Sequence, residues 1–259
     1  MHLHSSGEIR YYQFESFPES DLVHGVLARH GGVSSGPWTS LNLSISTGDD
    51  AKHVRENRHR AFRALGRDPH SIADLWQVHS ADVVVIDEPR GEDYHSEKAD
   101  ALVTNRRGVN LFLRFADCVP ILLFDPKRRA VGIVHAGWKG TLLKAAAAGV
   151  RVMGEQYGTR PSDLLAGIGP SIGPDHYPVG PEVVEQTRAA FPGADELLLP
   201  VHGRQHLDLW AANTRALREA GVQHIEVSGL CTACHTGEFF SHRGEQGKTG
   251  RFGALIALR

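Results

Sequence analysis

ADCVPILLFDPKRRAVGIVHAGWKGT, residues 116–141, carries the pattern that decides the fold. Two apolar runs, Val119 to Phe124 and Val131 to His135, flank the polar segment Asp125-Pro126-Lys127-Arg128. Proline enters a turn readily because its fixed φ already matches the first central position, so the stretch predicts a tight antiparallel hairpin. A turn centred between Pro126 and Lys127 sets Cys118 opposite His135, with Cβ atoms roughly 5 Å apart. Beyond His135 the chain passes through Ala136-Gly137-Trp138-Lys139-Gly140 into an alanine-rich helix, for which Thr141 is the expected N-cap.

Working outward, further extended stretches are expected at Leu22 to Ala28, Asp82 to Ile86, Leu111 to Phe115, Leu164 to Ile168, His224 to Val227 and Ala254 to Leu258. Helical patterns fall at Val54 to Leu65, Thr141 to Tyr157, Glu182 to Phe191 and Leu209 to Ala220, each ending near Gly or Pro. Strands occur both between helices and in a hairpin, which predicts an α/β or α+β protein with mixed sheets covered by helices. No repeat or low-complexity linker divides the 259 residues, so residues 1–259 are expected to form one domain.

Composition narrows the function. There are 28 Lys plus Arg against 30 Asp plus Glu, a formal net charge of -2, and this leaves no excess of positive charge for a nucleic acid or an anionic bilayer. The N-terminus lacks the apolar stretch of a secretory signal and no run is long enough to span a membrane, so a cytoplasmic protein is expected. Three cysteines are too few to staple a chain of this size and are expected as thiols.

Cys118 and His135 admit three chemistries. They could be a buried hydrophobe beside a core histidine, or a nucleophile with its base, which needs an orienting third group. They could also be two ligands of a metal: a thiolate and an imidazole suit zinc, and a further histidine would complete a three-ligand sphere with an open position. His79, in LWQVHSADVVVID, is the candidate third ligand. The glycines after His135, with Lys139 and the helix N-terminus beyond them, suggest room for an anion such as phosphate.

The motifs GGVSSGPWTSLNLS (31–44), ENR (56–58), QVH (77–79), ADALVTN (99–105), ADCVP (116–120), HAGWKG (135–140), IGPSIG (168–173), FFSHRG (239–244) and TGRFG (249–253) run in order along nearly the whole chain. Together they resemble the YfiH-type family, labelled multicopper polyphenol oxidases or laccases and also described as zinc-dependent purine nucleoside phosphorylases with adenosine deaminase activity. The resemblance implies a four-layer α/β/β/α fold with mixed sheets, similar to a bacterial deamidating toxin domain that uses Cys and His. It implies metal ligands at His79, Cys118 and His135, a catalytic and substrate-binding Arg58, and substrate contacts at Asn42 and Lys139. Two positions depart from the family pattern: Lys139 where arginine is common, which keeps charge but loses the bidentate fork, and Ser80 where glycine is common.

The expected cofactor is therefore Zn2+, with purine nucleosides and inorganic phosphate as substrates; nucleic acid, membrane and protein partners are not expected. The alternatives are copper-dependent phenol oxidation, a metal-independent Cys/His hydrolase, and a purine-binding protein without turnover. Blue copper wants an axial Met, and the two methionines, Met1 and Met153, are poorly placed for that. Cys231-Thr232-Ala233-Cys234-His235 has the letters of a haem attachment motif, but haem attachment belongs to exported proteins, and a lone C-x-x-C supplies half a structural zinc set. IGPSIG matches neither glycine-rich phosphate signature and reads as a strand-end turn. His202, His206 and Asp208 read as loop and cap residues, and His2 and His4 as a free terminus.

Overall fold

Asp125 sets the alignment of the central hairpin. In a computed structural model, which describes residues 1–91, 97–193 and 195–259, the chain runs through β1 (His2–Ser6), β2 (Ile9–Gln13), β3 (Leu22–Leu27), α1 (Ala51–Ala64), β4 (Ile72–Ala73), β5 (Val83–Val85), β6 (Ala101–Thr104), β7 (Asn110–Phe115), β8 (Val119–Asp125), β9 (Ala130–Ala136), α2 (Trp138–Leu142), α3 (Ala145–Tyr157), β10 (Leu165–Ile168), α4 (Pro181–Ala190), β11 (Leu198–Val201), β12 (Arg204–Leu207), α5 (Leu209–Glu219), β13 (His224–Val227) and β14 (Phe252–Leu258). Between β8 and β9 the Asp125 carboxylate accepts the N–H groups of Lys127 (2.9 Å) and Arg128 (3.0 Å), and Arg129 closes the loop at φ 49°. Asp125 therefore pairs with Ala130, and Pro120, not Cys118, stands opposite His135. The expected register is corrected by a two-residue shift: the loop is longer than a tight turn, and Cys118 lies just outside the ladder beside Gly137.

Two mixed six-stranded sheets result, ordered β1-β2-β3-β14-β7-β4 and β13-β10-β8-β9-β6-β5. Alternation along each strand assigns its two faces. Leu122, Phe124, Val131 and Ile133 of the second sheet meet Leu111, Leu113, Ala254 and Ile256 of the first in one apolar cluster. The opposite face of the second sheet, with Ile121, Leu123 and Val134, packs on Ala145, Val150 and Met153 of α3 and Ala212 and Ala216 of α5. The outer face of the first sheet, with Val23, Leu255 and Ala257, packs on Ala61 and Phe62 of α1. The order helix, sheet, sheet, helices is the expected four-layer α/β/β/α arrangement. No described helix is long and apolar enough to cross a membrane.

Other expectations need correction. The helix predicted over Thr141 to Tyr157 is broken at Lys144, which takes a left-handed φ of 57° and puts its ammonium 2.7 Å from Glu219. Thr141 is not a cap: it lies inside α2, its N–H donating to Gly137, while its hydroxyl accepts from Asn213 at 2.9 Å. His2 and His4 are on a paired strand, and His4 stacks on Tyr11.

His24, fully buried on β3, accepts the Phe14 N–H at 2.8 Å through Nε2, so protonating that nitrogen would set two N–H groups against each other. Burial brings its pKa down to about 4. A folded pKa below the ordinary value near 6.5 leaves stability complete above the latter and removes it as pH falls between the two, by up to roughly 3 kcal/mol. The loss of urea stability between about pH 7 and about pH 4.5 is expected to shrink by most of that amount in His24→Gln, and an undiminished loss would contradict it.

Candidate metal and catalytic site

The site forms where β9 ends and β6 begins. Pairing of Ala101 with Val134 places Asp100 beside His135, so that the His135 backbone N–H donates to the Asp100 carbonyl and its Nδ1 donates to the Asp100 carboxylate, each at 2.7 Å. The other carboxylate oxygen of Asp100 accepts the N–H groups of Val78 (3.1 Å) and Ser80 (2.6 Å). These two bonds bracket His79, which takes a left-handed φ of 63°. The Ser80 contribution is made by its main chain, which serine supplies as well as glycine.

Cys118 arrives from the other side. Asp117 precedes it at φ 82°, outside the strand; its carboxylate accepts from the Thr232 hydroxyl (2.7 Å), the Ser241 hydroxyl (2.7 Å) and the Arg243 N–H (2.6 Å), and its carbonyl from Ile172 N–H. Partners from three segments hold a backbone conformation that an isolated residue would leave. A Cβ on Gly137 would lie 2.9 Å from Cys118 Sγ and 3.0 Å from His79 Cδ2, so the close approach of the side chains requires glycine there.

The donor atoms of His79, Cys118 and His135 all lie within 4.8 Å of one another, with Cys118 Sγ 3.9 Å from His79 Nε2. Tetrahedral zinc with ordinary Zn–S and Zn–N bonds separates such atoms by about 3.6 Å. The donor set therefore fits a divalent ion. Since His135 commits Nδ1 to Asp100, its Nε2 faces the other donors. His79 is exposed, Cys118 half-buried and His135 buried, and no fourth His, Cys, Asp or Glu among the described residues joins the group. Met153 is buried in the core with its sulfur near Gly132, on the helix-facing side of the sheet, and does not approach the set.

Charge is organised around these groups. Burial works against ionisation of Cys118, but the neighbouring His135 charge and hydrogen bonds from His135 and His79 bring the thiol down to about 6. Burial likewise works against protonation of His135, yet Cys118 and Asp100 raise it to about 9. Asp100, despite burial, is held below the usual carboxylate range by His135, Ser80 and Val78.

The remaining predicted residues fall differently. Arg58 is buried, donates to the Leu43 carbonyl (3.1 Å) and lies 3.6 Å from Asp74, which also pairs with Arg114 at 3.0 Å. Arg114 in turn donates to Gln77, joining Arg58 to the His79 loop through a network. Asn42 is fully buried, donates to Ser44, Thr47 and Asp49 and accepts from Ser44 and Arg251, so it shapes the loop rather than presenting itself to a ligand. Lys139 is exposed, its ammonium 5.5 Å from the Trp138 ring, and the five-residue α2 is too short to gather much dipole. His206 bonds the Pro174 carbonyl, and Asp208 caps α5.

Asp100, Arg114 and Arg251 carry no signal of their own in the sequence, and Asp117 beside Cys118 reads there as a strand residue pointing to the other face. Burial pulls the Arg251 pKa down, while negative charge at Cys118 and Asp117 supports its cation. Their only signal is membership of ADALVTN, ADCVP and TGRFG, or, for Arg114, a lone charge in an apolar strand.

Residues 23–259 match the family model described as multi-copper polyphenol oxidoreductase laccase. The chain is 42% identical over 241 residues to a protein of Deinococcus radiodurans named purine nucleoside phosphorylase, spanning 93% of this chain and 91% of that one. It is 40% identical to purine nucleoside phosphorylase YlmD of Geobacillus stearothermophilus, spanning 93% and 92%. The crystal structure of YlmD from Geobacillus stearothermophilus superposes with a TM-score of 0.93 at 36% identity, over 99% of this chain and 98% of that one. The crystal structure of Bacillus licheniformis hypothetical protein YfiH gives 0.91 at 35%, over 99% of both.

Replacing Asp100 by Asn would turn an amide N–H either toward the N–H groups of Val78 and Ser80 or toward His135 Nδ1, where it favours the tautomer with Nε2 protonated. Zinc affinity, read by competition with a chromogenic chelator, is expected to fall about 10–100-fold. An unchanged affinity would show that the carboxylate does not orient the donors.

Proposed function

The chain belongs to the multi-copper polyphenol oxidoreductase laccase family, and on that premise we propose that it is a zinc-dependent purine nucleoside enzyme, cleaving adenosine, inosine, guanosine and methylthioadenosine with phosphate and deaminating adenosine. The observation that carries this reading is the set of His79, Cys118 and His135, which no fourth protein donor joins among the described residues. The name purine nucleoside phosphorylase carried by relatives supports the substrate class. A structural site would be closed by a fourth protein ligand, whereas an open position is what a catalytic ion needs. Zinc supplies Lewis-acid polarisation and a water pKa lowered toward neutrality when it is bound by these residues.

The chain's own groups do the remainder. In phosphorolysis a phosphate oxygen bonds to ribose C1′ as the bond to the purine nitrogen breaks, and the departing base takes up a proton. Phosphate must be held against its own charge, and Arg58, Arg114 and Arg251 supply cations on the elements around the donor set. Lys139 adds an exposed cation at the rim. Asp100 keeps His135 in one tautomer and His79 in its left-handed turn, so that neither ring reorients during turnover. Tyr177, whose hydroxyl is kept protonated by burial and by charge at Cys118, offers a half-buried ring with the Arg243 guanidinium 5.4 Å from it.

A second reading has a specific basis. Cys118, His135 and Asp100 have the composition of a nucleophile, base and orienting acid, with the thiol pulled down to about 6. His79 is superfluous to such a triad and is the third donor of a metal set, which favours the first reading. Phenol oxidation on copper is disfavoured because no methionine approaches the donors.

Zinc-loaded protein given adenosine and phosphate is expected to release adenine, and without phosphate to form inosine; His135→Ala abolishes both. Arg58→Lys is expected to raise the KM for phosphate about 10–100-fold through loss of a charge-assisted hydrogen bond. Neither product from metal-loaded protein would refute the nucleoside assignment, and activity that survives chelation but not Cys118→Ser would install the cysteine hydrolase.

A further inference from the structure

A second cluster of donors stands apart from the first. The Cys231 and Cys234 pair is only half a metal set in the sequence, but the fold brings it against the turn that follows β10, where Asp175 and His176 supply the other half. The ligand atoms of all four residues lie within 4.8 Å of one another. His176 Nδ1 is 3.0 Å from Asp175 Oδ2, 3.5 Å from Cys234 Sγ and 3.9 Å from Cys231 Sγ, and Cys234 Sγ is 3.6 Å from Asp175 Oδ2.

We propose that Asp175, His176, Cys231 and Cys234 form a second metal site, a closed four-ligand zinc site that clamps the turn after β10 to the segment after β13. The edges of a zinc tetrahedron with sulfur, nitrogen and oxygen ligands run from about 3.4 to about 3.8 Å, and the four separations, from 3.0 to 3.9 Å, straddle that range. Two thiolates and an imidazole are the soft to borderline donors that select zinc over the hard cations.

The local backbone is arranged for this cluster. The His235 N–H donates to the Cys231 carbonyl, a helical turn that sets the two sulfurs three residues apart on one side. The Gly173 N–H donates to Cys231 Sγ at 3.2 Å, as main-chain groups do toward a thiolate. A Cβ on Gly173 would lie 2.7 Å from Asp175 Oδ1 and 3.1 Å from Cys231 Cβ, so the turn can close over the sulfur only with glycine there. All three cysteines are free thiols.

The consequence reaches the first site. Ser171 bridges Cys231, the Thr232 N–H donates to the Ser171 carbonyl at 3.0 Å, and the Thr232 hydroxyl donates to Asp117, the residue that aims Cys118. An ion here therefore fixes Thr232 and, through it, the thiol of the catalytic set. Four protein ligands leave no position for substrate, so its role is structural. Its occupancy does not depend on the activity proposed above.

The probe is Co2+ added to reduced, metal-free Cys118→Ser protein, in which the only thiolates left are Cys231 and Cys234. Intense thiolate-to-cobalt charge-transfer absorption with tetrahedral d–d bands is expected at saturation, and both are lost in Cys118→Ser/Cys234→Ser. Should Cys118→Ser fail to fold, the zinc content of the wild type against exposed-site Cys234→Ser decides, with a fall by about half expected. Absence of the charge-transfer band under reducing conditions, or zinc content untouched by Cys234→Ser, overturns the site. A Cys231–Cys234 disulfide found in protein purified under reducing conditions does the same.

Discussion

The Asp100 carboxylate is the constraint on which the functional end of the molecule rests. It is fully buried, and burying a charge is costly unless its oxygens are bonded. One oxygen takes the His135 imidazole and the other takes the two N–H groups on either side of His79. Charge-assisted hydrogen bonds of this kind offset desolvation while fixing direction. One side chain therefore decides the tautomer of one histidine and the backbone conformation of another.

The sheets exist, in functional terms, to put that carboxylate where it is. β9 carries His135 on the same face as Val131 and Ile133, so the imidazole emerges at the end of the apolar layer between the sheets and contacts Phe115 of the opposite sheet. A dry layer on one side and solvent on the other gives the donors a low-dielectric wall, against which charges interact more strongly than in water. Asp117 performs for Cys118 the office that Asp100 performs for the histidines. Two buried aspartates, on separate strand ends, thus converge their neighbours on one point.

Much of this was legible in the chain and some was not. Apolar runs locate the hairpin, and Cys118 and His135 stay neighbours across a two-residue difference in register because the longer loop only slides the strands along each other. That difference comes from Asp125, whose side chain lengthens the turn through bonds that no apolar pattern records. The break at Lys144 was invisible because an alanine-rich stretch reads as one helix, and a single left-handed residue has no compositional mark. Asn42 lies in a motif bordering the site, yet its hydrogen bonds are all internal. Asp100 looks like any aspartate at a strand start. The meeting of His176 with Cys234, across 58 residues, depends on how β10 and β13 pair and on no local pattern.

As proposed, the two donor clusters would differ in coordination: three protein ligands in the first, and four in the second. On the proposed function, the first would hold a single ion among His79 Nε2, Cys118 Sγ and His135 Nε2. Anomalous diffraction at the zinc edge, from crystals of protein purified without added metal, tests it most directly. A peak bonded to all three atoms, with its fourth direction facing solvent, is the predicted result; a Cys118 thiol resting against His135 with no ion between them and His79 would contradict it.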